Sequence, residues 1–197
     1  MWEKSSANEF GRLMKGLKGG IQVTETMKFI HNHEVPYEKK ITYARFVFDY
    51  RQQKEEKEIP RITVGVNRLD YQGEVSTKTA RLITIKILLS SVVSSTWEKF
   101  MTEDVKNFYL KTPMDEPEYM KIPVRLVPDE INVEYKVSEF EHTGYIYVQL
   151  NKCMYGLAQA GLISNELLAT KLAKHGFNQM PHTPGLWRHH TKPIQYR

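Results

Sequence analysis

Asp104 is the residue whose surroundings point most directly to chemistry. It stands in Glu103-Asp104-Val105-Lys106-Asn107-Phe108-Tyr109-Leu110, after the apolar approach of Phe100 and Met101. The short β-prone run predicts that Asp104 ends a strand, where an unburied carboxylate can hold a hard divalent cation. Tyr109 follows five positions later, an odd spacing that puts it on the opposite face of a continuous strand. A bend near Asn107 would instead let both line one pocket. A second segment, Lys152-Cys153-Met154-Tyr155-Gly156-Leu157-Ala158-Gln159-Ala160-Gly161, is a glycine-punctuated turn that delivers Gln159 to the start of a helix-prone stretch.

Other polar clusters fit less demanding roles. His31-x-His33 and His189-His190 have the look of metal ligands, but a structural zinc site needs four donors and no cysteine pair accompanies them, so surface or capping histidines are expected. Asp115-Glu116 and Asp129-Glu130 flank prolines in polar segments and read as solvated turns. Cys153 is the sole cysteine, which excludes an internal disulfide and predicts a small buried side chain. No Ser-His-Asp or Cys-His nucleophile is suggested.

The elements that must position these residues follow from periodicity and punctuation. Gly11, Gly16, Gly19 and Gly20 are expected to interrupt any long N-terminal helix. Tyr43 to Tyr50 and Arg61 to Val66 are β-rich runs joined by the charged connector Gln52 to Glu58, which predicts a hairpin with a solvated tip. From Thr77 to Ser95, Leu82, Ile85, Leu88, Leu89 and Val92 recur at helical spacing, predicting a packed helix capped by Ser76 or Thr77. Thr112 to Pro117, with two prolines, reads as a turn. Tyr119 to Ile122 and Tyr145 to Leu150 read as strands, and Pro128 to Tyr135 as a short helix opened by its proline. Gln159 to Lys174 is the second long helix, with Leu162, Ile163, Leu167, Leu168 and Leu172 as its buried stripe and Gly176 ending it. Strands and helices are interspersed without strict alternation, which favours an α+β fold.

Composition sets the bounds. The 197 residues suit one or two domains, and 41% apolar with 26% charged residues indicates a globular chain. The net charge of +5 favours an anionic partner. The polar opening Trp2-Glu3-Lys4-Ser5-Ser6 has no apolar core after it, and Ile83 to Val93 is interrupted by Thr84, Lys86, Ser90 and Ser91. A soluble, intracellular protein without a membrane partner is therefore expected.

The Asp104 and Gln159 segments together resemble the motifs of copia-type (pseudovirus-type) retrotransposon reverse transcriptases, which usually read Asp-Val-Lys-x-Ala-Phe-Leu and Leu-Tyr-Gly-Leu-Lys-Gln-Ala. The resemblance is also ordered along the chain. Tyr43 to Tyr50 with Arg61 to Gly65 is similar to the fingers hairpin. Gly73 to Thr77 with Leu82 to Leu89 resembles the helix before the catalytic strand, and Glu118 to Pro123 the strand after it. His175-Gly176-Phe177 with Thr183 to Trp187 resembles the segment before the paired aspartates. Three positions depart from the family: Glu103 replaces an apolar residue, Val66 a glycine, and Arg81 an acidic residue.

The resemblance implies a right-hand polymerase arrangement, with fingers at 1–80 and 112–157 and a partial palm at 81–111 and 158–197. It implies nucleotidyl transfer with two magnesium ions, template-primer of RNA or DNA, and deoxynucleotides as partners, in a cytoplasmic particle or the nucleus. Asp104 would supply a metal-binding carboxylate and Val105 a backbone carbonyl. Tyr109 would close the nucleotide pocket under the sugar, and Gln159 would contact the incoming nucleotide. Arg61 and Arg45 would meet the triphosphate, where a planar guanidinium gives paired hydrogen bonds. The Asp-Asp turn expected soon after Trp187 does not occur before Arg197, so the palm sheet is expected to be incomplete and the piece inactive alone. A non-catalytic basic nucleic-acid-binding module and a non-functional remnant of an element are the alternatives.

Overall fold

The computed structural model describes residues 2–17, 21–53, 57–65, 71, 73–77, 79–99, 104–193 and 195–196. Glu103, Val66, the Phe100-Met101 approach and connector residues 54–56 lie outside the described residues. In chain order the elements are α1 (Trp2–Leu13), β1 (Met27–Ile30), β2 (Ile41–Tyr50), β3 (Glu58–Val64), α2 (Leu82–Ser94) and β4 (Pro113–Pro123). Then come α3 (Asp129–Glu134), β5 (Glu141–His142), β6 (Tyr145–Lys152), α4 (Ala160–Lys174), β7 (Phe177–Gln179), β8 (Trp187–His189) and β9 (Gln195–Tyr196). The fold is α+β. It divides into two compact units, Met1–Val75 with Asn107–Ile163, and Ser76–Lys106 with Ser164–Arg197.

The first unit is built on a sheet of order β1-β6-β4-β2-β3, with β5 added on β6. β2 and β4 run parallel, and the other neighbours are antiparallel. β2 and β3 form the expected hairpin. Its alternation sends Phe46, Ile62 and Val64 toward the core and Arg45, Val47 and Arg61 outward. Met120, Ile122, Ile146, Val148 and Leu150 from β4 and β6 pack with Phe10 and Leu13 of α1, all fully or almost fully buried. Cys153 is buried in this core, as expected.

Local signals were overridden at several places. Thr112 to Pro117 is not a free turn, because β4 already starts at Pro113. Pro113 pairs with Lys152 and Glu118 with Leu150, so Met114 to Pro117 bulge opposite Asn151 and Pro117 is spared a ladder bond. The contact at that end is made by Thr112, whose carbonyl accepts the Cys153 amide at 2.8 Å. Gly11 does not break α1 but lies buried inside it, and the turn after it carries Gly16 at φ +101. Pro128 sits at the N-cap of α3, one position before its expected place.

The second unit contains α2 and the sheet β7-β8-β9. α2 begins at Leu82 after an extended Arg81, so neither Ser76 nor Thr77 caps it, and none of its residues is buried. The run Leu82-Ile83-Thr84-Ile85-Lys86-Ile87-Leu88-Leu89 spreads apolar side chains around the helix, so the helical period did not define one packed face. α4 ends as expected, with Gly176 at φ +82. Its leucines at 162, 167, 168 and 172 and Ile163 are only half-buried, while Ala160 and Ser164 are the covered positions. Among the described residues no helix is long and apolar enough to cross a membrane.

Candidate functional site

The hairpin sets the first part of the site. Arg45 pairs with Thr63 and Arg61 with Val47, so both arginines stand on the outward face, exposed. Arg61 lies over the Tyr155 ring, its guanidinium carbon 5.4 Å from the centroid. The attraction of a cation to a ring face steadies a long side chain while leaving guanidinium edges able to donate.

Tyr155 in turn meets Tyr109 edge-on, with centroids 5.4 Å apart and planes at 71°. Tyr109 is not on a strand. It opens a 3-10 turn, Tyr109–Lys111, after Asn107 at φ +59, a left-handed value that asparagine tolerates better than most residues. The chain therefore bends at the position where a bend was the alternative to a continuous strand.

The Tyr155-Gly156 turn is docked on the end of β3. The Val64 amide donates to the Tyr155 carbonyl at 2.8 Å, and the Leu157 amide to Met154 at 3.1 Å. Gly156 has φ +97, and a Cβ there would overlap the Val64 carbonyl oxygen. Only glycine combines that dihedral with so close an approach. Met154 and Leu157 anchor the turn in the core.

Gln159 follows at the mouth of α4, where its carbonyl accepts the Ile163 amide at 3.1 Å. Its side chain is covered, and its Nε2 donates to Glu118 Oε1 at 3.2 Å. Glu118 is half-buried on β4, and burial pushes its carboxyl above the ordinary carboxylate value, against the opposing pull of Lys39 and of the Gln159 hydrogen bond. Lys39 itself is engaged by Glu116, with Nζ to Oε2 at 2.6 Å. Glu118 and Tyr155 lie within the motif segments, but the spacing assigns neither a role. Glu118 was legible in principle, since it shares its strand face with buried Met120 and Ile122 at a period of two. The Tyr155 contacts are non-local and had no such signal.

Asp104 and Val105 belong to the second unit, and both are exposed. Neither is in a strand, and the residues before Asp104, where the strand it was expected to end would run, lie outside the described residues. Residues 106–108 form a turn, so the β-prone composition yields to the bend at Asn107. Among the described residues, no group of three or more His, Cys, Asp or Glu could hold a metal ion. The histidine pairs are stacked rings, His31 on His33 at 5.3 Å and His189 on His190 at 4.8 Å. His189 Nδ1 accepts backbone amides from Thr191 and Lys192. Asp129 and Glu130 stand exposed in the first turn of α3, where carboxylates complement the helix N-terminus.

A family model described as reverse transcriptase (RNA-dependent DNA polymerase) matches residues 27–193. The matched range includes Arg45, Arg61, Asp104, Val105, Tyr109, Glu118, Tyr155 and Gln159. No curated protein and no solved structure matches the chain.

Proposed function

Since the chain belongs to the reverse transcriptase (RNA-dependent DNA polymerase) family, we propose that it is part of a copia-type element's enzyme and that Arg61, Tyr155, Tyr109 and Gln159 face the incoming deoxynucleotide. Template-primer and nucleotide are the partners that this family implies. In this reading the unit Met1–Val75 with Asn107–Ile163 is fingers-like, and the unit Ser76–Lys106 with Ser164–Arg197 is part of the palm.

The carrying observation is the chain of contacts from Arg61 through Tyr155 to Tyr109, on a turn that also bears Gln159. Each member suits one part of a nucleotide. An exposed guanidinium held against a ring offers paired N–H donors to triphosphate oxygens. Tyr109 would limit the room under the sugar and so favour deoxynucleotides, and Gln159 would add a directional hydrogen bond. Arg45, on the same hairpin face, would extend the cationic surface toward the phosphates or the template backbone.

The residues described do not by themselves make a magnesium site. Asp104, with the Val105 carbonyl beside it, is a single exposed carboxylate, whereas two ions clamping an in-line displacement need several carboxylate oxygens. Residues 1–197 are therefore read as a binding portion that does not polymerise alone, with magnesium the cofactor of the intact enzyme.

The test is the affinity of the full chain for a primer-template and for dTTP across a salt series. Primer-template binding should weaken steeply with salt, and Arg61→Ala should weaken dTTP binding and reduce the slope of log dTTP affinity against log salt. Salt-independent binding, or an Arg61→Ala slope equal to that of the unsubstituted chain, would count against the reading.

A further inference from the structure

We propose that Glu118 is a positioning residue that fixes which end of the Gln159 amide faces the ligand, so that Gln159 offers its carbonyl oxygen as an acceptor. This deepens the nucleotide reading of Gln159 and rests on it. Gln159 is 4% exposed, and a side chain so covered can turn only one hydrogen-bonding end toward a ligand. Its amide carries a donor end and an acceptor end of nearly the same shape, so a neighbour must choose between them. Glu118 makes that choice through the 3.2 Å contact between Gln159 Nε2 and its Oε1. An ionised carboxylate has no proton to give, so the nitrogen must turn toward Glu118 and the oxygen away from it.

The groups facing Glu118 are Lys39, Glu116 and Gln159. Lys39 is paired with Glu116, which leaves Gln159 as the hydrogen-bond partner found for the Glu118 carboxylate. Once Glu118 takes up a proton, its O–H can donate to the Gln159 oxygen, and the amide is free to invert. The ligand would then meet an N–H donor in place of an acceptor. Glu118 thereby couples the polarity of the site to protonation without touching the nucleotide.

Two measurements on the full chain test this. The first follows the side-chain amide resonances of Gln159 through an acid titration. They should shift with one midpoint above the ordinary carboxylate value of 4.5, and the shift should vanish in Glu118→Gln, which keeps an acceptor but cannot ionise. The second compares dTTP affinity at neutral pH in Glu118→Gln and Glu118→Leu, both uncharged. The leucine variant, having lost the acceptor, should bind about fivefold more weakly, the worth of one ordinary hydrogen bond, and Gln159→Ala should erase that difference. Gln159 resonances that ignore pH, or equal affinities of the two Glu118 variants, would overturn the proposal. If Gln159 titrates but the unsubstituted chain binds no dTTP, the nucleotide reading falls while the control of the amide by Glu118 stands.

Discussion

Replacing Gly156 by alanine should separate two costs that the turn imposes on any side chain. Gly156 has φ +97, and its added Cβ would collide with the Val64 backbone. Gly144 has φ +81 and open space around its would-be Cβ, so Gly144→Ala measures the dihedral cost alone. That cost is about 1–2 kcal/mol for a single non-glycine residue held in the left-handed region. At Gly156 the obstacle is backbone, which cannot rotate aside as a side chain can, so overpacking of about 1–3 kcal/mol adds to it. The expected losses are therefore about 1–2 kcal/mol for Gly144→Ala and about 2–5 kcal/mol for Gly156→Ala. Urea unfolding followed by Trp2 fluorescence, with Trp97 and Trp187 replaced by phenylalanine, reports on the unit that contains both glycines, because Trp2 packs edge-on against Phe48 at 5.1 Å. The slope against urea should not change, so that midpoints compare directly. Hydrogen exchange at the Val64 amide gives a local readout, since that amide donates to Tyr155. Equal losses for the two variants, with Val64 still protected, would show that the turn is not clamped on β3.

Glu118 gives stability a defined pH dependence. Burial raises its folded pKa above 4.5, so the folded chain holds this proton more tightly than the unfolded chain; the stabilisation is complete below 4.5 and is lost as pH rises through the raised value. Glu118→Gln should flatten that part of the curve of urea midpoint against pH, and an unaltered curve would show that the carboxyl is not desolvated. Residues 1–197 alone should fail to extend a primer at any magnesium concentration, since Asp104, the carboxylate given a metal role, cannot by itself balance two ions. An Asp-Asp segment joined after Tyr196 should be necessary for extension, and Asp104→Asn in that longer polypeptide should then abolish it while circular dichroism stays unchanged; synthesis by the 197 residues alone, or by the longer Asp104→Asn polypeptide, would refute the role given to Asp104.

The parts of the fold legible in the sequence are those written by local chemistry. Alternation from Tyr43 to Tyr50 and from Arg61 to Val64, with charge between them, was enough for the hairpin, and Gly176 was enough to end α4. Where two local signals competed, the sequence did not say which would win. Prolines at 113 and 117 spoke for a turn, and only pairing with β6 across a bulge makes the segment a strand. A continuous strand from Asp104 to Tyr109 yields to one left-handed residue, Asn107, which could be named as a possible bend but not selected. α2 shows the reverse case, a helix correctly recognised whose apolar residues remain uncovered. The candidate site depends on a contact between distant parts of the chain. Arg61 and Gln159 stand far apart in sequence, and what joins them is the Tyr155 carbonyl accepting from Val64 beside a glycine that admits the approach. Motif spacing can deliver a glutamine to a helix start and two arginines to one face of a hairpin. The geometry that would let them meet one ligand comes from a backbone hydrogen bond with no sequence signature except Gly156, and for that reason the alanine substitution there bears on the proposed site as much as on the fold.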